Sequence, residues 1–200
     1  MLILAFDTAT PAVTVALHDG AAVVASQAAV DARRHGELLA TAIRDVLAAA
    51  GAKTGELTGI AVGVGPGPYT GLRAGLVTAR VLGSALGIPV HGACTLDVIA
   101  WEVAAAAAET TRAGFTVATD ARRKEVYWAR YSAAGLRLAG PDVGPPGDAA
   151  GGGPVAGEGA VLYPALLPDP VGPRYPSAAA LASLATGRLA RGEPMLPAEP

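Results

Sequence analysis

Two aspartates stand at corresponding places in two similar parts of the chain. Asp7 ends an apolar run that begins at Leu2, and Asp120 ends a run that begins at Phe115. Carboxylates that face each other across a cleft can hold Mg²⁺ or activate a water molecule. An aspartate at a strand end can instead bond backbone N–H groups of its own turn. Both interpretations stay open, and Asp7 and Asp120 are our candidate cofactor-binding residues.

A glycine-rich segment, AVGVGPGPYTGLRAGLVTAR, runs from Ala61 to Arg80. It is not a P-loop, because G-x-x-x-x-G-K-[ST] needs a lysine and the segment has none. It also lacks the third glycine of the dinucleotide fingerprint G-x-G-x-x-G. Anion binding by the N-terminus of a following helix stays open, but Pro66 and Pro68 each remove one N–H donor from the loop.

Metal and nucleophile motifs are missing from the sequence. The three histidines are His18, His35 and His91, and none forms the H-x-x-x-H or H-E-x-x-H pair of a metal site. The single cysteine, Cys94, excludes an internal disulfide and fits a reducing cytosol. No serine stands in a G-x-S-x-G elbow. We therefore predict no catalytic residue and no metal ligand.

The elements of the first half must position Asp7 and the glycine-rich loop. Period-two and period-3.6 patterns, with turn residues between them, predict their bounds. The predicted strands are Leu2–Phe6, Val13–Leu17, Ala21–Ala28, Ile60–Val64 and Pro89–Gly92. The predicted helices are Arg33–Ala50, Thr70–Leu86 and one that begins with Thr95 as its cap.

From Phe115 the order of strand, aspartate turn, strand, hairpin and strand occurs a second time, which predicts a duplicated unit. The second copy then has fewer elements, because glycine and proline crowd residues 140–176. One short strand around Pro154–Gly157 and a final helix over Ala178–Arg191, capped by Ser177, are predicted there. We divide the chain into a first domain, residues 1–109, and a reduced second domain, residues 110–200.

Small residues recur every four positions along the second predicted helix, at Gly71, Gly75, Ala79 and Gly83. Glycine inside a helix costs about 1 kcal/mol relative to alanine, so this small-residue ridge indicates the close approach of another element. That element can belong to the same domain or to another chain, and the pattern alone does not decide. Arg73 and Arg80 flank the ridge as candidate polar contacts.

The composition bounds the class of protein. The chain has 200 residues, is 52% hydrophobic and carries a formal net charge of −2. It can therefore form one or two globular domains, and its charge alone does not indicate binding to nucleic acid. We find no long apolar run free of polar residues and glycine, so no membrane span is expected. The first residues lack the basic region of a signal peptide, which predicts a cytoplasmic protein.

Four blocks of sequence resemble the bacterial TsaB proteins, also called YeaZ. The blocks are ILAFDTAT from Ile3, RRHGELL from Arg33, VGVGPGPYTGLRAG from Val62 and DARRKEVYWARY from Asp120. They occur in the order of the family, and VAGEGAVLYPALL farther on is similar to it more loosely. One departure is Pro68-Tyr69, where the family more often has Ser-Phe. Because this proline removes a donor, an anion role for the loop becomes less favourable.

The resemblance implies an α/β fold of the actin-like, sugar kinase and Hsp70 type, made of two ribonuclease-H-like halves with the second reduced. It also implies a role in placing a threonylcarbamoyl group on N6 of the adenosine beside the anticodon, in tRNAs that read codons beginning with A. The TsaB proteins are non-catalytic scaffold subunits of that machinery. The paralogue TsaD binds the metal and transfers the group, and TsaE is the associated ATPase.

The resemblance further implies partners and a surface. TsaB proteins pair with TsaD through the helices of their first half, form homodimers by the same surface, join TsaE in a ternary complex and contact tRNA only indirectly. No cofactor of their own is implied, while ATP or ADP has room at the partner interface. On this basis the predicted interface residues are His35, Leu39, Gly71, Arg73, Gly75, Ala79, Arg80 and Gly83.

Two other functions stay open from the residues. The first is a small ATP-dependent phosphotransferase of the same fold, with Asp7 and Asp120 at a nucleotide cleft. It calls for an adenosine-binding motif in the second half, where Gly157-Glu158-Gly159 is the nearest approach. The second is a metallopeptidase, which the missing metal ligands disfavour.

Overall fold

Two five-stranded sheets make up the framework of the chain. A computed structural model describes residues 1–31, 34–106, 109–151 and 153–198. The strand order of the first sheet is β3-β2-β1-β4-β5, and that of the second is β10-β9-β6-β7-β8. In both sheets the first three strands along the chain are antiparallel neighbours, and the fourth strand pairs in parallel with the first. The predicted duplication and the ribonuclease-H-like fold class are therefore confirmed.

The first sheet and its helices follow the bounds expected from the residue pattern closely. Its strands are β1 (Ile3–Asp7), β2 (Ala12–His18), β3 (Val23–Val30), β4 (Gly59–Gly63) and β5 (Val90–Ala93). The helices between and after them are α1 (His35–Ala49), α2 (Tyr69–Leu86) and α3 (Thr95–Ala105). Arg33, at which the first helix was predicted to begin, lies outside the described residues. Gly87 ends α2 in the left-handed conformation, with φ 66°, as expected for a C-terminal glycine.

The second sheet has the same topology with shorter final strands. Its strands are β6 (Phe115–Arg122), β7 (Glu125–Tyr131), β8 (Arg137–Gly144), β9 (Val155–Ala156) and β10 (Pro170–Val171). Three helices complete this part of the chain: α4 (Pro146–Ala149), α5 (Glu158–Leu162) and α6 (Ala178–Ala190). The glycine and proline content of residues 140–176 explains why β9 and β10 are only two residues long.

Helices cover both faces of the first sheet. On one face, α1 and α2 share an apolar core with β1, β2 and β4 that includes Phe6, Leu39 and Leu76. On the other face, α6 packs against Ala5 and Ala16. The last helix thus contacts the first sheet, although the predicted domain division places it in the second half. The boundary at residue 110 stays a prediction.

The third helix, α3, lies between the two sheets. Val98 on one side belongs to the core beneath α6. Leu96 and Ile99 pack instead with Phe115 and Tyr131 of the second sheet. Because one helix contributes to both cores, the two halves share a continuous apolar interior. Within the described residues, no helix is both long and apolar enough to cross a membrane.

Ser177 caps α6 as predicted, since its Oγ accepts a hydrogen bond from the N–H of Ala180 at 3.4 Å. We expect Ser177→Ala to lower the free energy of unfolding by about 1 kcal/mol, because the N–H of Ala180 loses its acceptor. Urea denaturation measures this change. Ser177→Asn serves as the control, since its side chain can cap in the same way and should restore the stability.

Candidate functional site

Asp7 is completely buried at the end of β1, and both of its carboxylate oxygens have partners. Oδ1 accepts a hydrogen bond from the N–H of Ala9 at 2.8 Å. Oδ2 accepts one from the hydroxyl of Thr95 at 2.8 Å. The backbone of Gly63 packs directly against the carboxylate, and a Cβ at this position would collide with it. Asp7 therefore ties β1, β4 and the start of α3 together.

Thr95 was predicted to cap α3, and this prediction is wrong. Cys94 is the N-cap residue, without a side-chain capping bond, and Thr95 begins the helix. The Thr95 hydroxyl turns toward the strands, where it donates to Asp7 and accepts from the N–H of Gly65 at 3.2 Å. The start of a helix offers this hydroxyl only N–H donors, whereas the Asp7 carboxylate, 88 positions away in the sequence, accepts its proton.

Burial raises the pKa of Asp7, and the hydrogen bonds from Ala9 and Thr95 lower it only in part. Removal from water disfavours the charged form of a carboxyl group, which explains the direction. A raised pKa in a buried carboxyl group can accompany catalysis. Here the same carboxylate holds three backbone segments, and this role accounts for its position without any reaction.

Asp120 has the same local geometry in the second half. Its Oδ1 accepts a hydrogen bond from the N–H of Arg122 at 2.9 Å, two residues on, as Asp7 does from Ala9. Its Oδ2 pairs with the guanidinium of Arg122 at 3.2 Å. In both halves the aspartate thus closes its own turn, which is one of the two roles expected from the sequence.

The two turns come near each other through Arg122. This side chain lines a cavity of about 190 Å³ whose other walls include Thr8, Thr10 and His35. Arg122, Arg123 and Lys124 all have positive φ, of 67°, 52° and 67°. The cavity at the predicted cleft is therefore lined by the positively charged Arg122, whereas the buried Asp7 carboxylate does not line it. Cofactor binding by Asp7 and Asp120 stays a proposal.

No group of three or more histidine, cysteine, aspartate or glutamate side chains in the described part of the chain is placed to hold a metal ion. His35 is buried, and its Nε2 lies 2.9 Å from the carbonyl oxygen of Thr10. His91 is partly buried, and this burial lowers its pKa. The surroundings of His35 and His91 are therefore those of residues with a structural role.

The small-residue ridge of α2 faces the interior of the chain. Gly71, Gly75, Ala79 and Gly83 are all buried. A Cβ at Gly71 would lie 2.5 Å from the carbonyl oxygen of Thr8, and one at Gly75 would lie 2.5 Å from the hydroxyl of Thr8. Val90 approaches Gly83 in the same way. The close approach that the ridge predicted is therefore made by the sheet and by the turn after β1.

Of the predicted interface residues, only Arg73 and Arg80 are exposed. His35 and Leu39 join the ridge in the interior. A partner of α2 would meet none of these six side chains directly without unpacking the helix. Their placement at an interface is implied by the family resemblance and stays a prediction.

The opposite side of α2 carries an exposed stripe that sequence reasoning missed. It consists of Tyr69, Arg73, Val77 and Val81, and the exposed fractions of the three uncharged members are 70%, 49% and 61%. The guanidinium of Arg73 lies over the Tyr69 ring, 5.8 Å from its centroid. We call these four residues the outer stripe.

Helical periodicity alone would have located the outer stripe. Its members recur every four residues, as those of the ridge do, with an offset of two positions. Two residues turn a helix by about 200°, so the stripe and the ridge lie on opposite sides. In the structure the ridge packs against Thr8 and Val90, so the ridge is the inner side and the stripe the outer one.

Comparisons with known proteins give one consistent result. The family model described as "TsaD: tRNA N6-adenosine threonylcarbamoyltransferase" matches residues 21–169. A protein of Mycobacterium tuberculosis is 45% identical over 183 residues, which cover 90% of this chain and 82% of that protein. The Escherichia coli "tRNA threonylcarbamoyladenosine biosynthesis protein TsaB" is 37% identical over 135 residues, which cover 66% of this chain and 55% of that protein.

A solved structure extends the similarity over nearly the whole chain. "YeaZ from Pseudomonas aeruginosa" superposes with a TM-score of 0.81 and 30% identity, covering 98% of this chain and 96% of that one. A second structure from the same organism, described as similar to "peptidase YEAZ", gives a TM-score of 0.81 at 32% identity, with coverage of 97% and 94%. The similarity therefore covers both halves of the fold.

Proposed function

Since the chain belongs to the TsaB (YeaZ) family, which is part of the tRNA threonylcarbamoylation machinery, we propose that it is a non-catalytic subunit that binds TsaD through the outer face of α1 and α2. The observation that carries this proposal is the outer stripe. Tyr69, Arg73 and Arg80 are exposed on α2 beside two exposed valines, and tyrosine and arginine are the residue types enriched at binding surfaces.

The groove beside the stripe extends this surface to α1. It is lined by Gly36 of α1 together with Tyr69, Arg73 and Val77 of α2. Gly36 leaves open space above its backbone, because no atom lies within 4 Å of a Cβ built there. A helix of a partner can therefore approach α1 closely while its side chains contact the stripe.

The same surface would serve the further assembly. We propose that TsaD occupies it in the heterodimer, that TsaE joins the pair, and that two copies of the chain use it in the absence of TsaD. Contact with tRNA would remain indirect. ATP or ADP would bind, if at all, between the partners, near Arg122 and the turn after β1.

The two alternative functions have less support. A phosphotransferase of this fold needs a carboxylate that reaches a metal or a hydroxyl, whereas both oxygens of Asp7 are engaged within the protein. Glu158, in the nearest approach to an adenosine motif, accepts hydrogen bonds from Arg174 and Tyr175. A metallopeptidase needs a ligand set, and the described residues offer no group of three.

A charge introduced into the outer stripe tests the proposal. We expect Val77→Asp to weaken binding to TsaD of the same organism by at least about tenfold, since desolvating a carboxylate at the contact costs more than 1.4 kcal/mol even with Arg73 one turn away. Calorimetric titration of purified TsaD into the variant measures the change. The yield of modified adenosine should also fall when TsaD, TsaE, tRNA and a threonylcarbamoyl donor are supplied.

Val161→Asp is the matched control. Val161 is an exposed valine of α5, with an exposed fraction of 51% against 49% for Val77, and it lies outside the proposed surface. It should leave binding unchanged. Equal binding of TsaD by both variants and the native chain would remove the outer stripe from the interface, and no binding of TsaD by the native chain would reject the scaffold function.

A further inference from the structure

Each five-stranded sheet has two edges, and three of the four edges are protected against pairing with another strand. The outer edge of β5 is covered by the C-terminal segment, because Gly92 and Leu196 exchange two backbone hydrogen bonds of 2.7 and 3.0 Å. β10 is two residues long and begins with Pro170. β8 contains Pro141, two charged residues and an irregular register. Such features are the usual means of preventing edge association.

Within the described residues, the fourth edge, that of β3, is not covered by another segment, and its one irregularity is a register shift at Val24, near the start of the strand. Residues 21–30, AAVVASQAAV, contain neither a charge nor a proline. The strand is eight residues long, and five of these residues are exposed. Val24 and Val30 have exposed fractions of 44% and 62%. A long, uncharged edge with exposed valines can add a further strand.

We propose that β3 pairs antiparallel with β3 of a second copy of this chain, so that the first sheets of two molecules form one ten-stranded sheet. The sequence of β3 is suited to itself. Gln27 lies on the two-fold axis, and the regular part of the strand extends from Ala25 to Val30, because the register with β2 shifts at Val24. Ala25 lies opposite Ala29, and Ser26 lies opposite Ala28. No charge is buried, and apolar residues meet apolar residues at both ends.

The hydrogen-bonding pattern of the β2–β3 pair selects this register. The N–H of Asp31 donates to the carbonyl oxygen of Pro11 at 3.0 Å, one position beyond the pair Ala12 and Val30. Because bonded pairs alternate along an antiparallel ladder, Gln27 bonds toward β2, while Ser26 and Ala28 present their N–H and C=O groups outward. In the pair of β3 strands, residues whose N–H and C=O groups point away from β2 must face each other. The pairing of Ser26 with Ala28 meets this condition.

The space beside the edge permits this pairing. A groove of about 370 Å³ separates β3 from residues 174–179, and its strand side is formed by Ser26, Gln27, Ala28 and Val30. The side chains of the added strand can therefore be placed without moving α6. The proposal is independent of TsaD binding, since the outer stripe lies on α2 and β3 is at the end of the sheet.

Single cysteines test the register. In the proposed pairing, Gln27 faces its own copy in a non-bonded pair, where Cα atoms lie about 4.5 Å apart, within the range that a disulfide spans. We expect Gln27→Cys to give a covalent dimer under mild oxidation. Ser26→Cys should give little, because Ser26 of the second copy is displaced by two residues from the position opposite Ser26 and lies beyond disulfide range. The native Cys94 is buried.

Sedimentation equilibrium tests the dimer in solution, with Tyr69→Asp present in every sample to remove pairing through the outer stripe. We expect Ala28→Lys to weaken the dimer at least about tenfold, since a lysine enters an uncharged contact. The double variant Ser26→Glu with Ala28→Lys should restore it, because opposite charges then face each other twice. Leu138→Lys, on the protected edge of β8, should change nothing.

A monomer at every soluble concentration would overturn the proposal. So would a dimer that Ala28→Lys leaves intact, because such a dimer uses another surface. Equal cross-linking of Ser26→Cys and Gln27→Cys would overturn the register and with it the argument from self-complementarity. None of these results would bear on TsaD binding, which is measured separately with Val77→Asp.

Discussion

Gly71→Ala is expected to lower the free energy of unfolding by about 2 kcal/mol through overpacking. A Cβ at this position would lie 2.5 Å from the backbone carbonyl oxygen of Thr8 and 3.1 Å from Nε2 of His35. The carbonyl group cannot rotate away as a side chain can, so α2 must move from the turn after β1. The hydroxyl of Thr8 would also lose its 2.8 Å hydrogen bond to the carbonyl oxygen of Gly71.

The sign of this effect separates the two interpretations of the ridge. Replacing an exposed glycine within a helix by alanine raises the free energy of unfolding by up to about 1 kcal/mol. If Gly71 lay on an exposed, partner-binding face, Gly71→Ala would therefore stabilise the isolated chain. Gly36→Ala is the control, because Gly36 is a helical glycine with open space around it. Urea denaturation of both variants measures the two changes. A stable Gly71→Ala protein that no longer binds TsaD would return the ridge to the interface.

Asp7→Ala is expected to cost about 3 kcal/mol of unfolding free energy, since two buried donors lose their acceptor. The N–H of Ala9 and the hydroxyl of Thr95 would both be left without the carboxylate. Asp7→Asn should cost much less, because the amide has nearly the same shape, its oxygen can accept from Ala9 and its NH₂ group can donate to Thr95. Thermal and urea unfolding at neutral pH measure the difference.

The pH dependence of stability provides a second measurement on Asp7. The pKa of Asp7 is raised above 3.8 in the folded chain, mainly by burial. The folded state therefore binds this proton more tightly than the unfolded state does. The contribution of Asp7 is greatest at low pH and is lost as the pH rises from 3.8 through the folded pKa. Asp7→Asn removes this loss, so its stability relative to the native chain should increase with pH over that window.

The same variant distinguishes the proposed function from a phosphotransferase. A non-catalytic subunit has no need of a charged Asp7, so Asp7→Asn should support tRNA modification by TsaD as well as the native chain does. A catalytic carboxylate would lose most of its activity on conversion to an amide. Modification that disappears in Asp7→Asn, with folding and TsaD binding intact, would overturn the non-catalytic assignment.

Much of the fold could be predicted because its periodicity is local. Each signal depends on residues that are close together in the sequence: the apolar run of β1, the alternation in β2, the Asp-Gly turn after His18 and the apolar stripe of α1. The equal spacing of Asp7 with Val13 and of Asp120 with Val126 predicted the duplication. Both aspartates then proved to form the same two-residue bond, to Ala9 and to Arg122.

The candidate site was harder to predict, because its contacts join distant parts of the chain. Thr95 is a good helix cap by residue type, yet its hydroxyl bonds Asp7 on another element. Ser177 has an equally good cap pattern and does cap α6. The local sequence does not distinguish Thr95 from Ser177. The difference is the buried carboxylate of Asp7, which only the folded chain brings to Thr95.

By itself, the sequence determined the repeated unit, the element order and the absence of metal and nucleophile motifs, because these depend on residue types and short spacings. Only the tertiary structure decided which side of α2 is exposed and which sheet edge stays open. Both the ridge and the outer stripe repeat every four residues, so each could pack or be exposed. The sheet and the Thr8 turn approach too closely for any residue larger than those of the ridge, and this leaves Tyr69, Val77 and Val81 on the surface.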